Sequence, residues 1–132
     1  MHNDRRKERD LNWPDCYNAR DLGGILTTDG NSTVFGSFVR SDVLTRLSST
    51  GKRRLIEYGI TTVVDLRFPE ELSNLPGIVF DDANPNGGVA APHYHSIPFG
   101  DPRPEIYEKA KQAGNIGAHY GIWLDSFPAD VE

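Results

Sequence analysis

Residues 48–66 constrain this chain more than any other stretch. Ser48 and Ser49 are helix-capping residue types, and they precede Lys52-Arg53-Arg54-Leu55-Ile56-Glu57-Tyr58, with Gly59 placed to end the helix in a left-handed conformation. Leu55 and Ile56 define its inward face. Immediately beyond, Ile60-Thr61-Thr62-Val63-Val64-Asp65-Leu66 is β-branched and almost continuously apolar. That pattern predicts a strand covered on both faces. A helix running straight into such a strand is an α/β layer, and the rest of the chain has to supply its neighbours.

Those neighbours are short. Asp29-Gly30-Asn31 lies between Ile25-Leu26 and Val34-Phe35 and reads as a hairpin turn, and Phe38-Val39-Arg40 reads as a strand ending at a polar loop. Pro69 closes the central strand, Glu70-Glu71-Leu72 forms one helical turn, and Asp81 to Ala91 is an Asn/Pro/Gly loop. Between Pro92 and Gly100, the alternation of Tyr94, Ser96 and Pro98 with His95, Ile97 and Phe99 predicts a further strand. Two helices follow, from Pro104 to Lys111 and from Ile116 to Leu124, separated by Gly114. The second carries Ile116, Tyr120, Trp123 and Leu124 at roughly helical spacing.

A length of 132 residues allows one domain. Residues 1–12, with the mixed-charge run Asp4 to Asp10, have almost nothing to bury and are expected to form a flexible arm; residues 13–132 form the domain. No stretch approaches the roughly 18 apolar residues of a membrane span, and the polar start lacks the apolar middle of a signal peptide. A net charge of -5 argues against a duplex-binding protein, which needs concentrated Lys and Arg to neutralise phosphates. The single cysteine cannot form an intramolecular disulfide, so stability comes from packing. A cytoplasmic protein with no nucleic-acid partner is the expectation. Nothing after the last apolar helix provides edges for the sheet, so the chain reads as the front part of a larger domain, with a homo-oligomer or a swapped strand as the other ways to complete it.

Phosphate-binding and dinucleotide-binding loops fail on spacing. Gly51-Lys52 has Arg46 where a P-loop needs its first Gly and Arg53 where it needs Ser or Thr, and Gly23-Gly24 lacks a G-x-G-x-x-G context. His93 and His95 project from one face of a strand and can hold a metal, with Asp65, Asp101 or His119 as the third ligand, but a lone H-x-H pair equally describes two surface histidines. Three arginine-acid pairs stand at segment ends: Arg20-Asp21, Arg40 before Ser41-Asp42, and Asp65-Leu66-Arg67. Ligands gather at the carboxyl ends of strands in open α/β sheets, and the arginine fork suits phosphate. Each pair can instead be an ion pair that pins a loop.

Taken in order, Asn18 to Gly24, Phe38 to Leu47 and Gly59 to Arg67 resemble the front half of the bacterial and fungal tyrosine/serine protein phosphatases of the cysteine-dependent class, some of them dual-specificity or lipid-active. His93 to Phe99 looks like that family's next strand, and Tyr120 resembles the Tyr that precedes its catalytic half; the likeness covers about residues 13–125. It implies a partial phosphatase-like three-layer α/β domain, with a short mixed sheet and flanking helices. It also implies a phosphorylated protein or small phosphomonoester as substrate, no metal and no organic cofactor. In the family a Cys thiolate attacks phosphorus from a His-Cys-x5-Arg loop, whose backbone N–H groups and Arg cradle the phosphate oxygens. Here the only Cys is Cys16, preceded by Asp15, and Leu22 stands where the loop Arg belongs. By resemblance, Asp65 and Arg67 sit beside the catalytic loop, Asp65 as an orienting group more than a proton donor, while Arg20, Asp21 and Arg40 hold or line neighbouring loops. The expectation is therefore a scaffold without its nucleophile, inactive alone; the alternative is a non-catalytic module that holds phosphate with Arg20, Arg40 and Arg67.

Overall fold

The computed structural model describes residues 5–80, 89–99 and 103–126, with side chains described from residue 7 to residue 122 within them. The chain divides into two compact units, residues 1–97 and 98–132. Within the first, helix α1 spans Arg5–Arg9, strand β1 Arg20–Asp21, strand β2 Val39–Arg40, helix α2 Ser49–Glu57, strand β3 Thr62–Asp65, helix α3 Pro69–Asn74 and strand β4 His93–Ser96. A short 3-10 turn, Leu44–Arg46, leads into α2.

Helix α2 forms for the reasons its sequence contains. The Ser48 hydroxyl accepts from the Gly51 N–H and caps the first turn. At the other end Gly59, with φ of +95°, lets its N–H reach the Ile56 carbonyl at 2.9 Å while the Ile60 N–H reaches Leu55 at 3.3 Å. This paired closure satisfies carbonyls that the helix end would otherwise leave open. Gly51, Leu55 and Ile56 form the buried face. Gly51 has to be glycine, because a β-carbon there would run into the Pro14 carbonyl oxygen. Pro14 and Asp15 form the turn that brings the Cys16 N–H to the Trp13 carbonyl at 3.1 Å, with Asp15 at a φ of +63°.

The core of this unit consists of Trp13, Cys16, Ala19, Leu47, Leu55, Ile56, Val63, Ile78 and Phe80, with Tyr58, Ile60 and Tyr94 packed against it. Trp13 meets Tyr58 edge to face at 6.0 Å between centroids.

The strands sort into two ladders. β1 and β2 pair antiparallel, with Arg20 opposite Arg40 and Asp21 opposite Val39. β3 and β4 pair parallel, Thr62 opposite His93 through Asp65 opposite Ser96, with α3 in the crossover that a parallel pair requires. Parallel and antiparallel pairing, expected within one short mixed sheet, is thus distributed over two pairs. The Asp29-Gly30-Asn31 turn is a hairpin tip: Leu26 bridges Ser32, and the Thr33 N–H reaches the Ile25 carbonyl at 2.9 Å.

One expectation is corrected. β3 is covered on one face only: Val63 is buried, whereas Val64 is 50% and Leu66 52% exposed. The β-branched run satisfied the pattern of a two-sided strand, but among the described residues β3 has one strand neighbour and packs its Val63 face alone into the core. Much of the Asp81 to Ala91 loop reading, residues 81–88, lies outside the described residues.

In the second unit, helices α4 (Pro104–Lys111) and α5 (Ile116–Ser126) pack on each other. Ala110 is buried, and its carbonyl lies 2.8 Å from His119 Nδ1. Among the described residues no helix is long and apolar enough to cross a membrane.

Candidate functional site

Asp65 is the last residue of β3, at the carboxyl end of a parallel pair. The chain turns sharply there because the side chain folds back on the backbone: Oδ1 accepts the Arg67 N–H at 3.1 Å. Arg67 then wraps round the same carboxylate, Nε to Oδ1 at 2.9 Å and Nη2 to Oδ2 at 2.7 Å. Its Nη1 donates to the Leu75 carbonyl at 2.9 Å, tying the β3 turn to the segment after α3. From β4, the Tyr94 hydroxyl donates to Oδ2 at 2.8 Å. The Asp65 and Arg67 side chains are 12% and 17% exposed.

Asp65 therefore accepts four hydrogen bonds, the full capacity of a carboxylate. The Arg67 fork holds its pKa down to about 2 against the opposing effect of burial, and Tyr94 and the Arg67 N–H reinforce the shift. Burial and the Asp65 carboxylate together push the Tyr94 phenol up. Such a carboxylate stays ionised at neutral pH and has no proton to give. Gly77 makes the arrangement sterically feasible, since a β-carbon there would lie 2.5 Å from the Tyr94 ring.

Asp21 is a second buried carboxylate, 1% exposed, on β1. It accepts the Gly23 N–H at 2.5 Å, the Gly36 N–H at 2.7 Å, and the Tyr58 hydroxyl. Burial pushes its pKa up, but the bonds from Tyr58, Gly36 and Gly23 outweigh that and leave it below the ordinary carboxylate range. Gly23 packs tightly here, because a β-carbon would meet the Phe35 backbone and ring at 2.5 Å. Asp21 thus joins β1, the hairpin base and the end of α2.

The three arginine-acid pairs seen in the sequence come apart differently. Only Asp65 and Arg67 bind one another. Arg20 pairs with Asp10 instead, Nε to Oδ1 at 3.0 Å, next to the backbone bridge between the same two residues. Asp42 accepts the Cys16 thiol at 2.8 Å and the Tyr17 N–H at 3.3 Å. Arg40 lies exposed on β2, in register with Arg20.

Cys16 is buried, and burial together with the Asp42 carboxylate pushes its thiol up to about 11. That is the opposite of the shift a nucleophilic thiolate needs. His93 and His95 are exposed on β4, and among the described residues no group of three His, Cys, Asp or Glu is placed to hold a metal.

Three contributors were not singled out in the sequence as site residues: Tyr58, Tyr94 and Gly77. A tyrosine inside an otherwise apolar packing pattern is the usable signal, because its hydroxyl needs a partner when buried.

An α/β unit with an ionised Asp-x-Arg clamp closing a parallel strand pair is the setting in which the family match falls. The chain belongs to the tyrosine phosphatase family, whose model matches residues 11–122. No curated protein matches it.

Proposed function

We propose that this chain carries the front, loop-holding part of a cysteine-dependent phosphomonoesterase domain acting on a phosphorylated protein or a small phosphomonoester. The observation that carries the reading is the Asp65–Arg67 clamp at the carboxyl end of β3, reached by the Tyr94 hydroxyl from the adjoining β4, since open α/β sheets assemble their ligand sites at the carboxyl ends of strands. In this chemistry a thiolate attacks phosphorus, the ester P–O bond breaks, and the leaving oxygen takes a proton. Water then cleaves the S–P bond and releases inorganic phosphate.

Within that reaction Asp65 is an orienting group. Its four acceptor positions are filled and its pKa is depressed to about 2, so its part is to fix the turn after β3 rather than to protonate the leaving group. Arg67, with its fork on Asp65 and the Leu75 carbonyl, acts as a strut, and Asp21 plays the same part for the loop of residues 21–36. Arg40, exposed on β2, is the cation available to meet phosphate, and Arg20, in register with it, would have to leave Asp10 to join it.

The nucleophile is not among residues 1–132, since Cys16 has neither the preceding His nor the Arg six positions on, and its thiol stays protonated at neutral pH. The chain alone is expected to hydrolyse an aryl phosphate no faster than buffer. Turnover that survives Cys16→Ser would overturn this assignment, and the reading frame beyond the Glu132 codon tests it independently through the presence of a His-Cys-x5-Arg loop. A non-catalytic phosphate-binding module is the second reading, favoured by the exposed Arg20 and Arg40. Saturable phosphopeptide binding that Arg40→Ala abolishes supports it; no binding at millimolar peptide removes it.

A further inference from the structure

The antiparallel pair β1–β2 turns its two faces to different surroundings. Val39 packs against the core and Asp21 opposite it is buried, while the alternate residues Arg40 and Phe38 face solvent, with Arg20 and Leu22 across from them. Phe38 stands just ahead of β2 and is 74% exposed. The ladder fixes both positions: the Leu22 N–H donates to the Phe38 carbonyl at 2.9 Å, and Arg40 is in register with Arg20.

The fold itself accounts for neither side chain. Among the described residues Arg40 enters no ion pair, and the residue directly opposite it is another arginine. Like charges directly opposite one another on paired strands are destabilising. Arg20 is balanced by Asp10, whereas Arg40 is not. Phe38 leaves most of an aromatic ring in water, and Leu26, Val34 and Phe35 of the same hairpin are exposed as well, so the apolar exposure belongs to the region rather than to one residue. A ligand that is anionic at one point and apolar next to it satisfies both side chains. We propose that Arg40 and Phe38 form a docking site for a phosphorylated segment of a partner protein, with the phosphate on Arg40 and an apolar side chain two residues away on Phe38.

The docking site rests on the phosphate-binding reading of Arg40 and adds the apolar half of the ligand. Residues two apart in an extended chain lie on one side and about 7 Å from each other. An extended peptide laid along β2 therefore presents its two groups at the separation of Arg40 and Phe38. A phosphate monoester carries about 1.5 to 2 negative charges at neutral pH and draws a second guanidinium, where a carboxylate is satisfied by one. Arg20 is that second cation: its pair with Asp10 is 51% and 43% exposed, a setting in which an ion pair contributes little, so it exchanges readily. A lipid surface or a nucleic acid needs a longer run of cations, and residues 22–39 contain a single charged residue, Asp29.

The test uses the whole 132-residue chain and a fluorescein-labelled heptapeptide with phosphoserine at its centre and leucine two positions to either side, read by anisotropy. Saturable binding is expected that Arg40→Ser weakens roughly tenfold and Phe38→Ser roughly threefold, with little change from the charge-matched Arg53→Ser. Asp10→Asn frees Arg20 and is expected to tighten binding. Replacing both leucines by alanine lowers the affinity of the native chain and leaves that of Phe38→Ser unchanged. Full affinity in Arg40→Ser, an equal loss in Arg53→Ser, or no tightening in Asp10→Asn would overturn the proposal. So would binding to phosphoinositide vesicles or single-stranded DNA that exceeds peptide binding and is lost in Arg40→Ser. Equal affinity for the leucine and alanine peptides would overturn the docking site and leave the phosphate-binding reading standing, whereas no binding of either peptide removes both. A thermal melt of each variant separates loss of the face from loss of the fold.

Discussion

Asp21 and Asp65 are held by the same kind of tyrosine hydroxyl, yet the two carboxylates belong to different designs. Asp65 has a cation folded round it, supplied two residues away on its own turn, and sits at the end of a strand with about an eighth of its side chain exposed. Asp21 has no cation among the described residues: two glycine N–H groups and Tyr58 carry its charge, and it is 1% exposed. An ion pair that retains some solvent can be rearranged at moderate cost. A buried charge stabilised by neutral donors cannot, because every donor is left unsatisfied when the carboxylate goes. The first arrangement suits the wall of a site that meets ligands; the second suits the frame behind it.

That contrast predicts where the molecule breaks. Asp21→Ala strands the Gly23 N–H in a buried setting and the Gly36 N–H and the Tyr58 hydroxyl in partly buried ones, and a loss of roughly 2 to 3 kcal/mol is expected, the orphaned groups contributing on the order of 1 kcal/mol each. Urea unfolding followed by tryptophan fluorescence measures it through Trp13, which packs on Tyr58. A loss below 1 kcal/mol would show that water replaces the carboxylate and would end the distinction drawn above.

Acid separates the two sites by a different route. Asp65 has a folded pKa of about 2 against an ordinary value near 4, so the folded state binds its proton less readily than the unfolded chain. Its stabilising contribution is complete above about pH 5 and disappears as the pH falls from about 4 towards 2. Nearly two pKa units correspond to about 2 kcal/mol. Asp65→Asn is therefore expected to flatten the stability profile across that window while costing most of its effect at neutral pH. An unchanged acid slope would mean that Asp65 is not the carboxylate clamped by Arg67.

Much of the scaffold was legible because its signals are local. Ser48, Gly59 and the apolar pair Leu55-Ile56 specify α2 within a dozen residues, and the β-branched run specifies β3. The Asp65–Arg67 clamp was legible for the same reason, being closed over a separation of two residues. What connects those pieces was not. Tyr58 finds Asp21 across 37 positions and Tyr94 finds Asp65 across 29, and no periodicity encodes such a meeting. Arg20 took Asp10 rather than its sequence neighbour because alternate residues of a strand face opposite ways: Asp21 points into the core and Arg20 out. The same alternation left Val64 exposed while Val63 is buried, where an unbroken apolar run had suggested two covered faces.

Deleting one hydroxyl from each site gives the finest test of the comparison. Tyr94→Phe removes one of four donors from Asp65, and Arg67 remains to hold the charge, so a loss of about 1 kcal/mol is expected. Tyr58→Phe removes one of three donors from a carboxylate with no cation and is expected to cost more than its counterpart. The carboxyl titrations carry the decisive signature, read by carbon-13 NMR. In Tyr94→Phe the Asp65 midpoint rises but stays below the ordinary carboxylate value, because the Arg67 fork is the larger influence. In Tyr58→Phe the Asp21 midpoint is expected to rise further, since burial then opposes only the two glycine N–H groups. Equal shifts at the two sites would mean that the tyrosines carry them both and that the Arg67 cation is incidental.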